Sequence, residues 1–449
     1  MLFRSIMDAK DDLAAGPILL ITDPTKSQNN LNSPTMTAGM TFVGQFLDHD
    51  MTLDPTSSLE RQVDPEMIAN FRTPTLALDN VYGAGPSGSP HLYDQSATGR
   101  GIRLLVEETG TPGKQDLPRN SQRVALIGDP RNDENLILSQ FQLAMLKFHN
   151  ACVGHVVSDI GLTEPGEIFA EAQRIVRWHY QWIIIHEFLE KTCGKDVVDS
   201  VINDGRKFYK WKNDPFIPVE FSVAAFRFGH SQVRPSYRAN FGAGIAPTPF
   251  FGMIFSPTPS NVLDPDDLSG GCRAPRRFVD WPTFFDFNDG NVRPNKRIDT
   301  TISTALFHLP GSVVSNPDPA SNPSSLAQRN LLRHLTFSLP SGQRVAQAMK
   351  LPVLSDTDLA MLKPFGMDDR TPLWFYILRE AAVTQNGGER LGPVGARIVA
   401  EVFIGLLEGD RTSYLSQDPD WEPFLPTIDP SRQHEDFKII DLLRFAGVA

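Results

Sequence analysis

The segment from Phe42 to Met51, FVGQFLDHDM, carries the residues that are best suited to chemistry. His49 stands between Asp48 and Asp50, Gln45 precedes it by four residues, and apolar residues fill most of the other positions. Burying an imidazole between two carboxylates is costly unless the charges are used. An imidazole also titrates near neutral pH, so it can take up a proton and then deliver it. We therefore interpret His49 as a candidate acid–base residue.

Three further motifs follow along the chain. Arg131 is followed three residues later by Glu134, just ahead of a helical pattern. The pentapeptide FRFGH ends at His230, and Asn330 is followed three residues later by Arg333 and then by a Leu-Pro pair. Together with the first segment, these motifs resemble those of the animal haem peroxidase family in type and in order, over residues 37–343. Four such matches are very unlikely to coincide by chance.

This resemblance implies a mainly α fold, in which haem b is buried between the central helices of one large domain with little β structure. We expect residues 35–449 to form that haem peroxidase domain. Residues 1–34 are polar, with clusters of Pro, Asn and Ser, and we interpret them as an extended N-terminal arm. No clean linker separates the four motifs, which favours a single domain.

The resemblance assigns the peroxide chemistry to three residues. His49 would take a proton from one peroxide oxygen and deliver it to the other. Arg131 would stabilise the negative charge that develops as the O–O bond breaks, because a guanidinium stays cationic in a dry pocket. Gln45 would hydrogen-bond a water or small anion beside the imidazole. A lone histidine is more often a hydrogen-bonded core residue, but the polar neighbours of His49 favour the catalytic interpretation.

His230 is implied to be the proximal ligand of the haem iron. Its second ring nitrogen would donate to the side-chain oxygen of Asn330, and this neutral partner would give the ligand less imidazolate character than an aspartate. Arg227 and Arg333 would pair with the haem propionates. For both arginines, an ordinary surface salt bridge is the alternative.

Asp48 and Glu134 match the two carboxylates that form ester bonds to the haem in mammalian members of the family. The alternative is that both are hydrogen-bonded but unlinked. Asn135 follows Glu134 at a position where one mammalian member has a methionine bonded to a haem vinyl group. Since asparagine has no sulfur, we expect that link to be absent and the oxidising power to be lower.

A calcium site is the second metal site that the resemblance implies. Asp50 would be one ligand, and Thr73, the Thr75 carbonyl and Asp79 would be others, because calcium prefers several oxygen ligands in a flexible shell. Ala77 stands where the family usually has an aspartate, so one charged ligand is missing.

The composition of the 449-residue chain limits the possible partners. Its net charge of -11, with no run rich in Lys or Arg, argues against a nucleic-acid binder. An anionic substrate must therefore be attracted by local cations such as Arg131. We expect a monomer whose partners are hydrogen peroxide and small anionic or aromatic electron donors.

Cys152, Cys193 and Cys272 are far apart and not at metal-ligand spacing, which favours buried or free thiols. Vertebrate members of the family are rich in disulfides, so this chain resembles the bacterial branch. Residues 1–16 include acidic residues where a signal peptide has its apolar core, and no segment is apolar for long enough to span a membrane. We expect a soluble protein. Its compartment is left open, and so is export by a route that needs no signal peptide.

Apolar residues recur at helical spacing from Asn135 to Val157 and from Glu167 to Cys193, where Gly194 supplies a stop. A third helix is expected over residues 223–232 and loops over 241–325, with further helices over 325–335, 341–349, 373–385 and 391–407. No carboxylate completes a second histidine metal site, so the remaining histidines are interpreted as structural: His91, His149, His155, His179, His186, His308, His334 and His434.

A fatty-acid dioxygenase of the cyclooxygenase type is the main alternative function. Such enzymes need a tyrosine three residues before the proximal histidine to carry a radical to the lipid, and this chain has Arg227 there. A haem-binding module without catalysis is disfavoured because both histidines and Arg131 are present. The sequence does not distinguish among bromide, iodide, thiocyanate and phenols as the donor.

Overall fold

The computed structural model describes residues 31–52, 74–109, 114–242, 248–256, 264–271, 275–311, 313–314, 317–318, 322–384 and 386–449, and the backbone of residues 8–10. Within these ranges, the helices of seven or more residues are α1 (Ala38–Met51), α2 (Leu136–His155), α3 (Pro165–Ile183), α4 (Lys195–Asp204), α5 (Leu326–Thr336), α6 (Gly342–Ala348), α7 (Leu373–Val383), α8 (Pro393–Gly409) and α9 (Ile439–Phe445). Shorter helical segments include Asp79–Tyr82, Pro130–Asp133, Val219–Ser222, Ala225–Phe228 and Gly229–Gln232.

The strands are short and pair in twos. They are β1 (Asp8–Lys10), β2 (Asn32–Thr37), β3 (Glu107–Glu108), β4 (Gln115–Asp116), β5 (Ser236–Arg238), β6 (Phe251–Met253), β7 (Pro294–Lys296) and β8 (Thr301–Ser303). β1 pairs with β8 in parallel, whereas β2 with β7, β3 with β4 and β5 with β6 are antiparallel. The predicted mainly α fold with little β structure is confirmed.

The two strongest helical patterns form helices close to their predicted limits. The pattern from Glu167 to Cys193 forms α3, a π-helical turn over Ile184–Leu189 and a last α-helical turn that ends at Gly194, where φ is +93°. The helix expected over 223–232 is wrong as one continuous element. Ala224 leaves the helical region with φ −134° and ψ −70°, and the chain then forms a 3-10 turn and a separate α-helical turn.

α1 positions the first sequence motif. Its apolar residues are buried, and Phe42 and Phe46 pack edge-to-face on Tyr237 and Phe141, with ring centroids 5.3 and 5.1 Å apart. Gly39 lies under the ring of Phe285, where a β-carbon would be 2.4 Å from the ring. Because residues three and four apart share a helix face, the polar residues of α1 at positions 45, 48 and 49 project together.

The segment that carries Arg131 and Glu134 is fixed from two sides. Asn135 caps α2 by accepting the Leu138 N–H at 2.9 Å. Gly270 donates its N–H to the Glu134 carbonyl at 2.8 Å, and a β-carbon on this glycine would lie 1.5 Å from the Asp133 carbonyl oxygen. Only glycine therefore lets the two segments approach so closely.

Several sequence predictions fall partly or wholly outside the described residues. Most of the proposed arm, residues 1–7 and 11–30, lies outside them, as do Thr73 and Cys272. Cys152 and Cys193 are buried free thiols. In the parts of the chain that the structure describes, no helix is both long and apolar enough to cross a membrane.

Candidate active site

One cavity of about 1080 Å³ brings the sequence motifs together. Eight of the predicted site residues line it: Gln45, Asp48, His49, Arg131, Glu134, Arg227, His230 and Arg333. They come from four separate parts of the chain, namely α1, the segment before α2, the turns over residues 225–232, and α5. Pockets of roughly 300 to 1,000 Å³ hold drug-sized ligands and cofactors, so the cavity is large enough for a macrocycle.

His49 is buried on one side of this cavity, with 6% of its surface exposed. Its Nδ1 atom lies 2.7 Å from the side-chain oxygen of Asn132, an acceptor, so Nδ1 carries the proton and Nε2 keeps its lone pair. Burial, assisted by the nearby positive charge of Arg131, lowers the pKa of His49 to about 4. His49 is therefore neutral at neutral pH and can accept a proton.

Asp129 holds the guanidinium of Arg131, a contact that the sequence analysis missed. The Arg131 Nη2 atom donates to Asp129 Oδ2 at 2.7 Å and to the His49 carbonyl at 3.2 Å, and also to the carbonyl of Thr52. Asp129 is fully buried and also accepts the Arg131 backbone N–H at 2.9 Å. Its carboxylate hydrogen bonds keep the pKa of Arg131 raised despite burial, so this residue remains a cation beside His49.

Gln45 connects two residues at the wall of the cavity. Its Nε2 atom donates to Glu134, and its Oε1 atom accepts from Asn135 Nδ2 at 3.2 Å. Burial raises the pKa of Glu134 to about 7, and Asp48 adds to this effect. Both polar atoms of the Gln45 amide thus have protein partners, in addition to any contact with a small molecule that the sequence predicts.

His230 lies in the same cavity and contacts Asn330. The Nδ1 atom of His230 is 2.7 Å from Nδ2 of Asn330, and the Oδ1 atom of this amide is buried without a hydrogen-bond partner among the described residues. In this orientation the amide donates to Nδ1, so the predicted hydrogen bond from His230 to the amide oxygen requires the amide to be turned and stays a prediction. In the present orientation, the proton of a neutral His230 is on Nε2. If the amide were turned, its Oδ1 atom would accept the proton of Nδ1, and Nε2 would keep its lone pair.

The two predicted propionate partners differ in their surroundings. Arg227 is half-buried in the cavity wall, and its Nε atom has no hydrogen-bond partner among the described residues. Burial lowers the pKa of Arg227, and the nearby Asp48 opposes this shift. Arg333 also lines the cavity, with its guanidinium 6.0 Å from the ring of Phe337.

Asp50 is directed away from the cavity, toward the loop that was predicted to bind calcium. Its buried carboxylate accepts the Leu78 N–H and the Tyr180 hydroxyl, each at 3.2 Å. Leu78 adopts a left-handed conformation with φ +64° directly before Asp79. Within the described residues, no group of three or more His, Cys, Asp or Glu side chains is arranged to hold a metal ion.

The other buried histidines have partners of their own. His149 contacts the Tyr82 hydroxyl and the Ile102 carbonyl at 3.1 and 2.9 Å, and His179 contacts the Ile175 carbonyl at 2.7 Å. Burial lowers the pKa of His149 to about 4 and that of His179 to about 3. These contacts agree with a structural interpretation of both residues.

The chain is similar to known proteins both in sequence and in fold. The family model described as animal haem peroxidase matches residues 57–262. A peroxidasin homologue of Caenorhabditis elegans is 25% identical over 397 residues, which are 81% of this chain and 28% of that protein. Peroxidase A from Dictyostelium discoideum has a TM-score of 0.58 and 18% identity, covering 87% of this chain and 82% of that chain. A fatty acid alpha-dioxygenase of Oryza sativa has a TM-score of 0.58 and 13% identity, covering 93% and 74%.

The chain thus spans only 28% of the length of its peroxidasin relative. The two solved structures, at 18% and 13% identity, establish the fold alone. Since a peroxidase and a dioxygenase share this fold, the residues of the cavity must distinguish between their reactions.

Proposed function

Because the chain belongs to the animal haem peroxidase family, we propose that it reduces hydrogen peroxide and oxidises bromide, iodide, thiocyanate or phenolic donors. One observation carries this proposal. His49 and His230 line the same cavity, and each has its Nδ1 atom 2.7 Å from the side-chain amide of an asparagine. His49 can therefore present the lone pair of Nε2 to the cavity as a base, and His230 would present that of its own Nε2 as a metal ligand once the Asn330 amide is turned to accept the Nδ1–H.

The cavity residues fit a haem. Its volume of about 1080 Å³ is sufficient, and the partnerless Oδ1 of Asn330 would gain the Nδ1–H of His230 once Nε2 binds the iron. Arg227 and Arg333 would hold the propionates, and Asp48 and Glu134 would be the sites of ester bonds. When bound, haem supplies the iron at which the peroxide bond is broken and through which electrons pass from the donor.

His49 moves the proton. Its neutral imidazole takes the proton from the peroxide oxygen that is to remain, and the resulting imidazolium delivers it to the departing oxygen as water forms. The lowered pKa of His49 makes it a weak base, but the imidazolium is a correspondingly strong acid for the second transfer. The burial of His49 limits the exchange of this proton with bulk water.

Arg131 stabilises the charge that develops during this transfer. The guanidinium is already held by the Asp129 carboxylate and the His49 carbonyl, so it requires little reorganisation as negative charge appears. Asp129 offsets part of the positive charge, but it fixes the position of the donor group. Preorganised donors of this kind are worth about 10²–10³ in rate when one is removed.

We further propose that calcium binds beside Asp50. Asp50 meets the backbone of Leu78, next to Asp79 and three residues after Thr75, so the carboxylate lies beside the predicted loop. Calcium would contribute by fixing this loop to the end of α1. A chelator should then lower the melting temperature and the haem content together.

A fatty-acid dioxygenase is the second candidate, because an alpha-dioxygenase shares the fold. All seven tyrosines of the chain lie in the described residues, and none of them lines the cavity. Arg227 stands three residues before His230, where a radical-carrying tyrosine would be needed. The peroxidase proposal is therefore preferred.

The test is the rate at which haem-loaded protein reduces hydrogen peroxide, for the parent chain and for His49→Ala. General acid–base assistance is worth about 10²–10⁴, so the variant should lose that factor while it keeps its haem. Oxygen uptake with palmitate serves as the parallel assay. Uptake with the fatty acid and no peroxide-dependent oxidation of iodide would reject the peroxidase in favour of the dioxygenase.

A further inference from the structure

Three buried polar residues form a continuous hydrogen-bonded chain behind His49. His49 Nδ1 is 2.7 Å from Asn132 Oδ1, Asn132 Nδ2 donates to Gln142 Oε1 at 2.7 Å, and Gln142 Nε2 donates to the Asn80 carbonyl at 3.0 Å. Asn132, Gln142 and Asn80 have no exposed surface. The chain joins α1, the Pro130–Asp133 turn, α2 and the short helix Asp79–Tyr82.

The direction of every hydrogen bond in this chain is determined by its far end. A backbone carbonyl can only accept, so Gln142 must direct its NH₂ group toward Asn80 and its oxygen toward Asn132. That oxygen can only accept as well, so Asn132 must direct its NH₂ group toward Gln142 and its oxygen toward His49. The proton of the neutral imidazole is therefore held on Nδ1, and the lone pair is held on Nε2.

The far end of the chain is itself tied back to α1. The side chain of Asn80 donates to the carbonyl of Phe46 at 3.4 Å, three residues before His49 on the same helix. The four elements are thus closed into a ring of contacts, which limits rotation of the imidazole. Since all members are buried, water cannot readily replace one of them.

We propose that Asn132 and Gln142 are positioning residues, which hold His49 in the tautomer and orientation that present Nε2 to peroxide. This inference rests on the proposed function, because the tautomer matters to the reaction only if His49 carries the proton. Neither residue lines the cavity, so both act through His49.

The test compares haem-loaded variants by steady-state kinetics. Asn132→Leu has nearly the same shape but no acceptor, and it should lower kcat/KM for hydrogen peroxide by about 10- to 100-fold, as when the partner behind a functional histidine is removed. Asn132→Asp keeps an acceptor at this place and should recover most of the loss. The value of kcat/KM for iodide and the haem content should stay near those of the parent, because the donor step does not use His49.

Gln142→Met should reproduce a smaller part of the loss, since it frees the Asn132 amide to turn. Gln140→Met is the matched control: Gln140 is also buried in α2, but it lies outside this chain of contacts. It should leave both kinetic constants unchanged.

Three results would overturn the inference. If His49→Ala slows the peroxide reaction but Asn132→Leu does not, positioning by Asn132 is rejected and the proposed function stands. If neither variant slows it, the inference falls together with the acid–base role of His49. If Asn132→Leu lowers the constants for peroxide and iodide equally and loses haem, the residue is merely structural.

Discussion

The Nδ1 atom of His230 lies 2.7 Å from the side-chain amide of Asn330, which is buried with 1% of its surface exposed. A neutral amide polarises the imidazole less than a carboxylate does, and a less basic ligand stabilises ferric iron less. The identity of residue 330 should therefore set the reduction potential of the bound haem.

Asn330→Asp should lower the ferric/ferrous midpoint potential, because a carboxylate gives His230 more imidazolate character. Spectroelectrochemical titration of the haem-loaded protein measures this quantity directly. Asn330→Leu is the control, since it removes the partner without adding charge and should leave the potential at or above that of the parent. A potential that rises in Asn330→Asp would contradict the role of this contact.

The rate of peroxide reduction should depend on pH through two groups. Burial lowers the pKa of His49 to about 4, so the imidazole remains an available base from neutral pH down to mildly acidic pH. The value of kcat/KM for peroxide should therefore fall only as pH drops through about 4. Glu134, with a pKa raised to about 7, titrates in the same cavity.

Glu134→Gln separates these two titrations because it removes the carboxyl group and keeps its shape. Any change in rate near pH 7 should disappear in this variant, while the acidic limb remains. A parent profile that falls already at pH 6 to 7 and is unchanged in Glu134→Gln would exclude the assignment of the acidic limb to a low-pKa His49.

Peroxide should attach the haem covalently through Asp48 and Glu134. Both carboxylates line the cavity, and the raised pKa of Glu134 leaves it partly protonated near neutral pH. Acid-acetone should extract haem from freshly loaded protein but not after brief turnover. Extraction should again succeed after turnover in the Asp48→Ala/Glu134→Gln double variant, and full extraction of the parent under both conditions would leave two hydrogen-bonded carboxylates without esters.

Asn135 should contribute to stability as well as to donor choice. Its side-chain oxygen caps α2, so Asn135→Ala should lower the free energy of unfolding by about 0.5–2 kcal/mol, measured by urea titration. Asn135→Asp preserves the cap and should remain close to the parent. An Asn135→Ala variant as stable as the parent would show that this cap does not stabilise the protein.

The preferred donors should be thiocyanate, iodide and bromide, with chloride oxidised poorly. Asn135 holds no sulfur with which to form a further bond to the haem, and its side chain is already occupied by Gln45 and the α2 cap. Rapid mixing of peroxide-treated protein with each anion ranks the donors. Efficient chloride oxidation near neutral pH would contradict this ranking, and so would a failure to oxidise bromide.

The sequence was sufficient to predict those site residues whose side chains can themselves carry out or support the chemistry. His49, Arg131, Glu134 and His230 stand in short motifs, and α1, the turn before α2 and the turns over residues 225–232 bring them into one cavity. The long amphipathic helices were predicted for the same reason, because apolar periodicity depends only on nearby residues.

The sequence could not predict contacts that depend on tertiary structure. Asn132 and Gln142 are ordinary polar residues in the sequence. They form a hydrogen-bonded chain to His49 only because the fold buries them beside residues that are distant in sequence. Asp129 could have been noticed, because an aspartate before Pro130 is a common helix cap. The orientation of the Asn330 amide depends on the tautomer of His230, which no spacing encodes.

The absorption spectrum of the haem-loaded protein, recorded before and after addition of hydrogen peroxide, tests the central claim most directly. The parent and His49→Ala should both give a ferric Soret band, and peroxide should shift it quickly in the parent and about 10²–10⁴ times more slowly in His49→Ala. His230→Ala should lose the normal Soret band and the peroxide response. A normal Soret band with full peroxide reactivity in His230→Ala would contradict the assignment of this histidine as the iron ligand, and with it the proposed peroxidase site.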